Sequence, residues 1–81
     1  MVALMPIFYF HVRHRDTRYD DTHGIEMHDI QAAWDHAHRD ARSIADAGLL
    51  AGSPDEQWME IEDETGTVVA TLPFRKVLAT N

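Results

Sequence analysis

Asp21-Thr22-His23-Gly24-Ile25-Glu26-Met27-His28-Asp29-Ile30-Gln31-Ala32-Ala33 decides the fold of this 81-residue chain. We read it as a glycine turn, a short extended piece, and an aspartate that starts a helix. The Asp29 carboxylate can accept from the orphan amides of a first helical turn and face the positive end of the helix dipole. Beyond it Ile30, Ala33, Trp34, Ala37, Ala41, Ile44 and Ala45 recur at three- and four-residue steps. That stripe predicts an amphipathic helix over about 29–47. Gly48 could end it, or Gly52 followed by the blocking pair Ser53-Pro54. The stretch therefore joins a strand layer to a helix layer.

Upstream, Ile7 to His14 is rich in aromatic and β-branched residues and predicts a strand. Alternation puts Phe8, Phe10 and Val12 on one face and Ile7, Tyr9, His11 and Arg13 on the other. Thr17 to Asp20 can return as a second strand, although the connection His14-Arg15-Asp16-Thr17 lacks glycine and leaves its turn type open. Downstream, Gln57 to Glu62 predicts a third strand, with Met59 and Ile61 facing opposite to Trp58, Glu60 and Glu62. Asp63-Glu64-Thr65-Gly66 is a hairpin signal, and Val68 to Leu72 returns before Pro73, giving a C-terminal hairpin at about 57–73.

The order is ββαββ. It predicts one α+β domain of two layers, a four-stranded, mainly antiparallel sheet with one helix packed on one face. The first and fourth strands are the most apolar, which suggests a central placement for both and a sheet order of 2-1-4-3. The second sheet face would carry Tyr9, His11 and Trp58. A two-layer domain this small with such a face is a candidate homodimer.

Net charge is −7, unevenly spread. Arg13, Arg15 and Arg18 against Asp16 leave residues 1–19 at +2, and Arg39 and Arg42 against thirteen acids leave 20–74 at −11. Arg75 and Lys76 add +2 at the end. An acidic body argues against nucleic acid as a partner, because duplex binding rests on phosphate neutralisation. The basic segment Arg13 to Arg18 could touch RNA or an acidic protein, and a solvated hairpin tip is the default reading. The chain has no cysteine, which matches a reducing cytoplasm, and we expect a cytoplasmic location. Met1 to Met5 is too short for a signal peptide, and no apolar run approaches the ~20 residues of a membrane helix.

Three segments carry a resemblance: Pro6-Ile-Phe-Tyr-Phe-His11-Val12, then Asp21…Gly24…Glu26…Asp29…Ala32-Ala33, then Trp58…Asp63-Glu64-Thr65-Gly66…Val69…Leu72-Pro73-Phe74. Together they resemble a family of short proteobacterial proteins known only as a domain of unknown function. The resemblance implies a small α+β fold and supplies no activity. It implies that Met5-Pro6 is the usual start and that residues 1–5 include a poorly ordered extension. His14, His23, His28, His36 and His38 lie outside the shared pattern.

Two functional expectations follow. The first is a non-catalytic, self-associating interaction or regulatory module, needing no cofactor, with Tyr9, His11, Trp58 and an edge strand as contact surface. The second is a metal-binding protein using the 20–28 loop, where Asp20, Asp21, His23 and His28 gather histidine and carboxylate donors beside Glu26. No H-E-x-x-H or comparable ligand spacing accompanies them. Catalysis finds little to work with. The serines are Ser43 and Ser53, Lys76 is the sole lysine, no glycine-rich phosphate loop exists, and Glu60 with Glu62 fits a solvated strand face.

Protonating all six histidines would bring the formal charge from −7 to −1. Colloidal repulsion then weakens. The saturation concentration should fall as pH drops from about 7 to about 5, and a constant value across that range contradicts the expectation.

Overall fold

A computed structural model of the chain describes residues 5–48 and 54–78. The expectation for residues 1–5 therefore lies, apart from Met5, outside the described residues. The elements are β1 (Ile7–His14), β2 (Thr17–Tyr19), β3 (Ile25–Glu26), α1 (Ile30–Asp46), a 3-10 turn (Pro54–Glu56), β4 (Gln57–Glu62), β5 (Val68–Pro73) and α2 (Phe74–Leu78). The fold is α+β, with an antiparallel sheet of order β2-β1-β4-β5 and β3 paired to β1 on the side away from β4.

That order corrects the 2-1-4-3 arrangement expected from apolar content. The strand beside β1 is β4, in the register Tyr9↔Glu62 through His14↔Gln57, and β5 forms the edge. Met59 and Ile61 of β4 are fully buried. Glu60 and Glu62 make β4 look peripheral in sequence, yet a central strand can hold carboxylates whose cations sit on the same face.

Both helices cover one face of the sheet. Ala33, Ala37 and Ala41 stand one turn apart on α1 and are each 0 % exposed. Side chains this small let the helix backbone approach the sheet closely. The core is completed by Phe8, Phe10, Met59, Ile61 and Leu72, with Val12, Trp34 and Ile44 partly buried against it. Ile30, first in the expected stripe, stays 51 % exposed at the helix start.

The Asp29 carboxylate accepts from the Ala32 amide at 2.8 Å. At the other end the Ala47 and Gly48 amides donate to the Ser43 and Ala45 carbonyls, each at 3.0 Å. The alternative end at Gly52 lies outside the described residues. Helix α2 has no counterpart in the sequence expectation, which stops at Pro73. Phe74 and Val77, three residues apart, fill the core beside α1, and Arg42 donates to the Val77 carbonyl at 3.0 Å. Five residues are too few to show a period.

The β1–β2 hairpin explains its lack of glycine. Arg15 takes the left-handed region at φ +55°, and Glu56 holds it, accepting from its amide at 3.1 Å and from its guanidinium. Gly24, Gly48 and Gly66 all occupy that region, and Gly66 and Gly24 do so under different constraints. Gly66, φ +85°, turns the β4–β5 hairpin with open space around it. Gly24, φ +71°, lies on β1, where an added Cβ would meet Ile7 Cγ2 at 2.6 Å and the Tyr9 ring at 2.8 Å.

Alanine at Gly66 should therefore cost only the backbone term, about 1 kcal/mol. Alanine at Gly24 adds a steric clash and should cost about 2–4 kcal/mol. Urea unfolding midpoints of the two variants check this, and equal losses would contradict it.

Candidate functional site

The chemistry-bearing residues gather on the sheet face away from the helices. Strand register sets them in rows: Arg18 opposite Arg13 opposite Trp58, and His11 opposite Glu60 opposite Thr71, with Tyr9 opposite Glu62. Paired residues of neighbouring strands share a face, so two arginines and two glutamates are forced together.

Glu60 is the centre of this cluster, only 9 % exposed. Its carboxylate accepts from Trp58 Nε1 at 3.2 Å and from the Nη1 atoms of Arg13 and Arg18, each at 3.4 Å. Burial pushes the Glu60 carboxyl up, but these donors outweigh it and hold the group below the ordinary carboxylate range. Arg18 also reaches Asp20 at 2.6 Å and Glu62 at 3.6 Å. The buried charge is thus compensated, as a buried carboxylate must be.

His11 lies inside this face and is 3 % exposed. Its Nδ1 accepts the Asp21 amide at 3.0 Å, which places the proton of the neutral ring on Nε2. Among the described residues Nε2 is the buried side-chain polar atom without a hydrogen bond, its nearest carboxylate oxygen being Glu62 Oε1 at 3.6 Å. The Tyr9 ring runs parallel to the imidazole, with centroids 6.4 Å apart. Tyr9 and Trp58 are half-buried.

Asp21 ties the cluster to the sheet edge. One oxygen accepts the Phe10 amide at 3.1 Å, and the other accepts the His23 and Gly24 amides at 3.0 and 3.2 Å. Burial pushes this carboxyl up, and the three amides more than reverse it, leaving it more acidic than usual.

The expected donors of the 20–28 loop are not brought together. Asp20 turns to Arg18, Asp21 to backbone amides, and exposed His23 to Thr22 Oγ1 at 3.4 Å. His28 lies beyond the turn, in a groove of about 580 Å³ with Asp29, Ile30, Pro6 and Phe8. Among the described residues no group of three or more histidine, cysteine, aspartate or glutamate side chains could hold a metal ion. The groove's carboxylates are engaged in the fold: Asp29 caps α1, and Asp63 accepts from Thr65 and Thr67 of the hairpin.

Arg13 and Arg18 escaped the sequence reading as partners of Glu60. Their signal was present, since an alternating strand with two glutamates on one face needs cations nearby, but the pairing depends on register. Among the described residues no helix is long and apolar enough to cross a membrane.

These elements define a small α+β domain with helices on one sheet face and a charge-paired cluster on the other. The chain belongs to the family described as Domain of unknown function (DUF6894), whose model matches residues 7–75. Comparison with curated proteins and with solved structures returned no match. The matched span contains the whole ion-paired cluster together with Asp21 and Gly24.

Asp21→Asn keeps the shape but can present an acceptor to only one side, leaving N–H facing N–H at Phe10 or at the loop. It should cost about 1–3 kcal/mol at neutral pH. The folded forms of Asp21 and Glu60 hold depressed carboxyls. Their contribution is therefore present above the unfolded values near roughly pH 4 and is lost as pH falls through the folded ones. The acid limb of stability against pH should be shallower in Asp21→Asn than in the parent; superimposable limbs in urea titrations would contradict it.

Proposed function

We propose that this domain is a non-catalytic interaction module that self-associates, with the β5 edge of its sheet as contact surface. The observation that carries it is the contrast between the two edges. On one side the edge is broken into β2, three residues, and β3, two residues, and each of these strands carries a charged side chain, Arg18 and Glu26. Short, charged and interrupted edges are how sheets avoid adding further strands.

On the other side β5 runs six residues, Val68–Pro73, at the end of the sheet order. Among the described residues it alone of the five strands has no ionisable side chain. Val68 at its start is 44 % exposed and Thr71 is exposed as well. An open edge without charge accepts a further strand readily.

The opposite face supports the same reading through its ion pairs. Glu60 and Glu62 are committed to Arg13 and Arg18 rather than poised as a free pair. A metal-binding role for the 20–28 loop has no comparable support, since Asp20 and Asp21 already accept from Arg18 and from backbone amides. A cytoplasmic location belongs to the same proposal, supported by the cysteine-free composition.

Sedimentation velocity across roughly micromolar to near-millimolar protein should show a concentration-dependent dimer. Thr71→Lys places a charge on the edge and should weaken it at least about tenfold, or ~1.4 kcal/mol. A monomer at every concentration overturns the proposal, and so does a dimer that Thr71→Lys leaves untouched.

A further inference from the structure

We infer that the groove at the start of α1 binds a small organic cation with an apolar body, such as an alkylammonium. Its charged group lies on Asp29 and Asp63, and its body against Phe8, Ile30 and Val69. The site is independent of pairing at the β5 edge, because it uses the Val69 side chain, which packs against the core.

The first support is apolar shape. The groove holds about 580 Å³, inside the range of roughly 300–1,000 Å³ in which small molecules are bound. It lies between the first turn of α1 and the sheet residues Phe8 and Val69. Ile30 stays 51 % exposed and Val69 is half-buried, so apolar surface faces water there. A ligand body that covers this surface is favoured by its removal from water.

The second is charge. Register sets Glu26 opposite Ile7 and Glu62 opposite Tyr9, and Glu64 accepts the Ile7 amide at 2.9 Å. With Asp29 and Asp63 they make the Ile7 end of the sheet acidic. The seven arginine and lysine residues of the chain lie elsewhere. Arg13, Arg15 and Arg18 surround the His14 end of β1, and Arg75 and Lys76 follow the end of β5 that pairs with Trp58. Arg39 and Arg42 stand on later turns of α1. A cation entering the groove therefore meets carboxylates and no competing guanidinium.

The third is unused acceptor capacity. Asp29 accepts the Ala32 amide through Oδ1, and Asp63 accepts the Thr65 hydroxyl and the Thr65 and Thr67 amides through its own Oδ1. Among the described residues neither Oδ2 has a hydrogen-bond partner. The Thr65 hydroxyl and the two amides hold the Asp63 carboxyl below its usual range, so it stays charged at neutral pH.

These features select the class of ligand. A bare metal ion is poorly suited, because among the described residues no three histidine, cysteine, aspartate or glutamate side chains are grouped to ligate it. An ammonium needs only acceptors for its N–H groups and brings its own apolar surface. A carboxylate ligand would find the α1 cap already filled by Asp29 and would face two carboxylates against the single imidazole of His28.

Octylammonium, octanol and octanoate share one chain and differ in the head group. Titrated into isotope-labelled protein, octylammonium should shift the amide resonances of Ile30, Gln31, Asp63 and Val69 in a saturable way. It should bind about five to ten times more tightly than octanol, with octanoate weakest. Asp29→Asn and Asp63→Asn each keep the Oδ1 acceptor that the fold uses and remove the charge. The double variant, its folding confirmed by circular dichroism, should bind octylammonium and octanol alike. Should it unfold, the parent protein decides alone, since rising salt should weaken octylammonium and leave octanol little changed.

Equal affinities for the three octyl compounds, tighter binding of octanoate, or an octylammonium affinity that the double variant or high salt preserves each overturn the site. So does an absence of saturable shifts at these amides. A short oligolysine that binds at the same amides more tightly than octylammonium overturns the free small cation in favour of a basic segment of another protein. The dimer test by sedimentation reads the β5 edge alone, so the two proposals fail separately.

Discussion

The amide of Phe10 faces the side of β1 where β2 has ended and β3 has not begun. Val12 pairs with Tyr19 and Phe8 with Ile25, so the edge strand is interrupted between them. The Asp21 carboxylate fills the break. It accepts the Phe10 amide with one oxygen and closes its own turn with the other, on the His23 and Gly24 amides. An unpaired buried amide is expensive, and this one lies in the strand that carries both Phe8 and Phe10 into the core. The Asp21 amide in turn fixes the imidazole of His11, so the side chain that repairs the edge also orients the centre of the open face.

Gly24 belongs to the same constraint. The turn that returns the chain to β1 passes so close to Ile7 and Tyr9 that no side chain fits, and its backbone is left-handed there. Without the turn there is no β3, and Asp29 would not be delivered to the start of α1. A single loop therefore sets the sheet edge, the ring of His11 and the point from which the helix crosses the sheet.

The face away from the helices is organised by charge rather than by apolar contact. Glu60 can lie in a central strand because Arg13, Arg18 and Trp58 all donate to it. Such a network contributes little net stability compared with a well-packed apolar layer. It does restrict register, since a one-residue slip of β4 against β1 would send both glutamates towards Ala33, Ala37 and Ala41. The β5 edge lies outside this network and carries no ionisable side chain.

Much of the fold was legible in local chemistry. The capping aspartate, the alanine stripe, the alternation of Phe8 and Phe10 and the hairpin glycine Gly66 each act within a few residues, so the sequence alone determined the two layers, the helix and the turns. The site was less legible. The reading counted His11 among the contact residues of the second face and placed β4 at the edge, because burial and strand order follow from partners distant in the chain: Asp21 ten residues on, Glu60 and Glu62 some fifty away. Helix α2 escaped for the opposite reason, its five residues being too short to show a period although Phe74 and Val77 are fully buried. Only the tertiary structure decided which strands are neighbours. Strand neighbours select the cations for each carboxylate, and among the described residues they leave β5 as the longest of the strands paired on one side only.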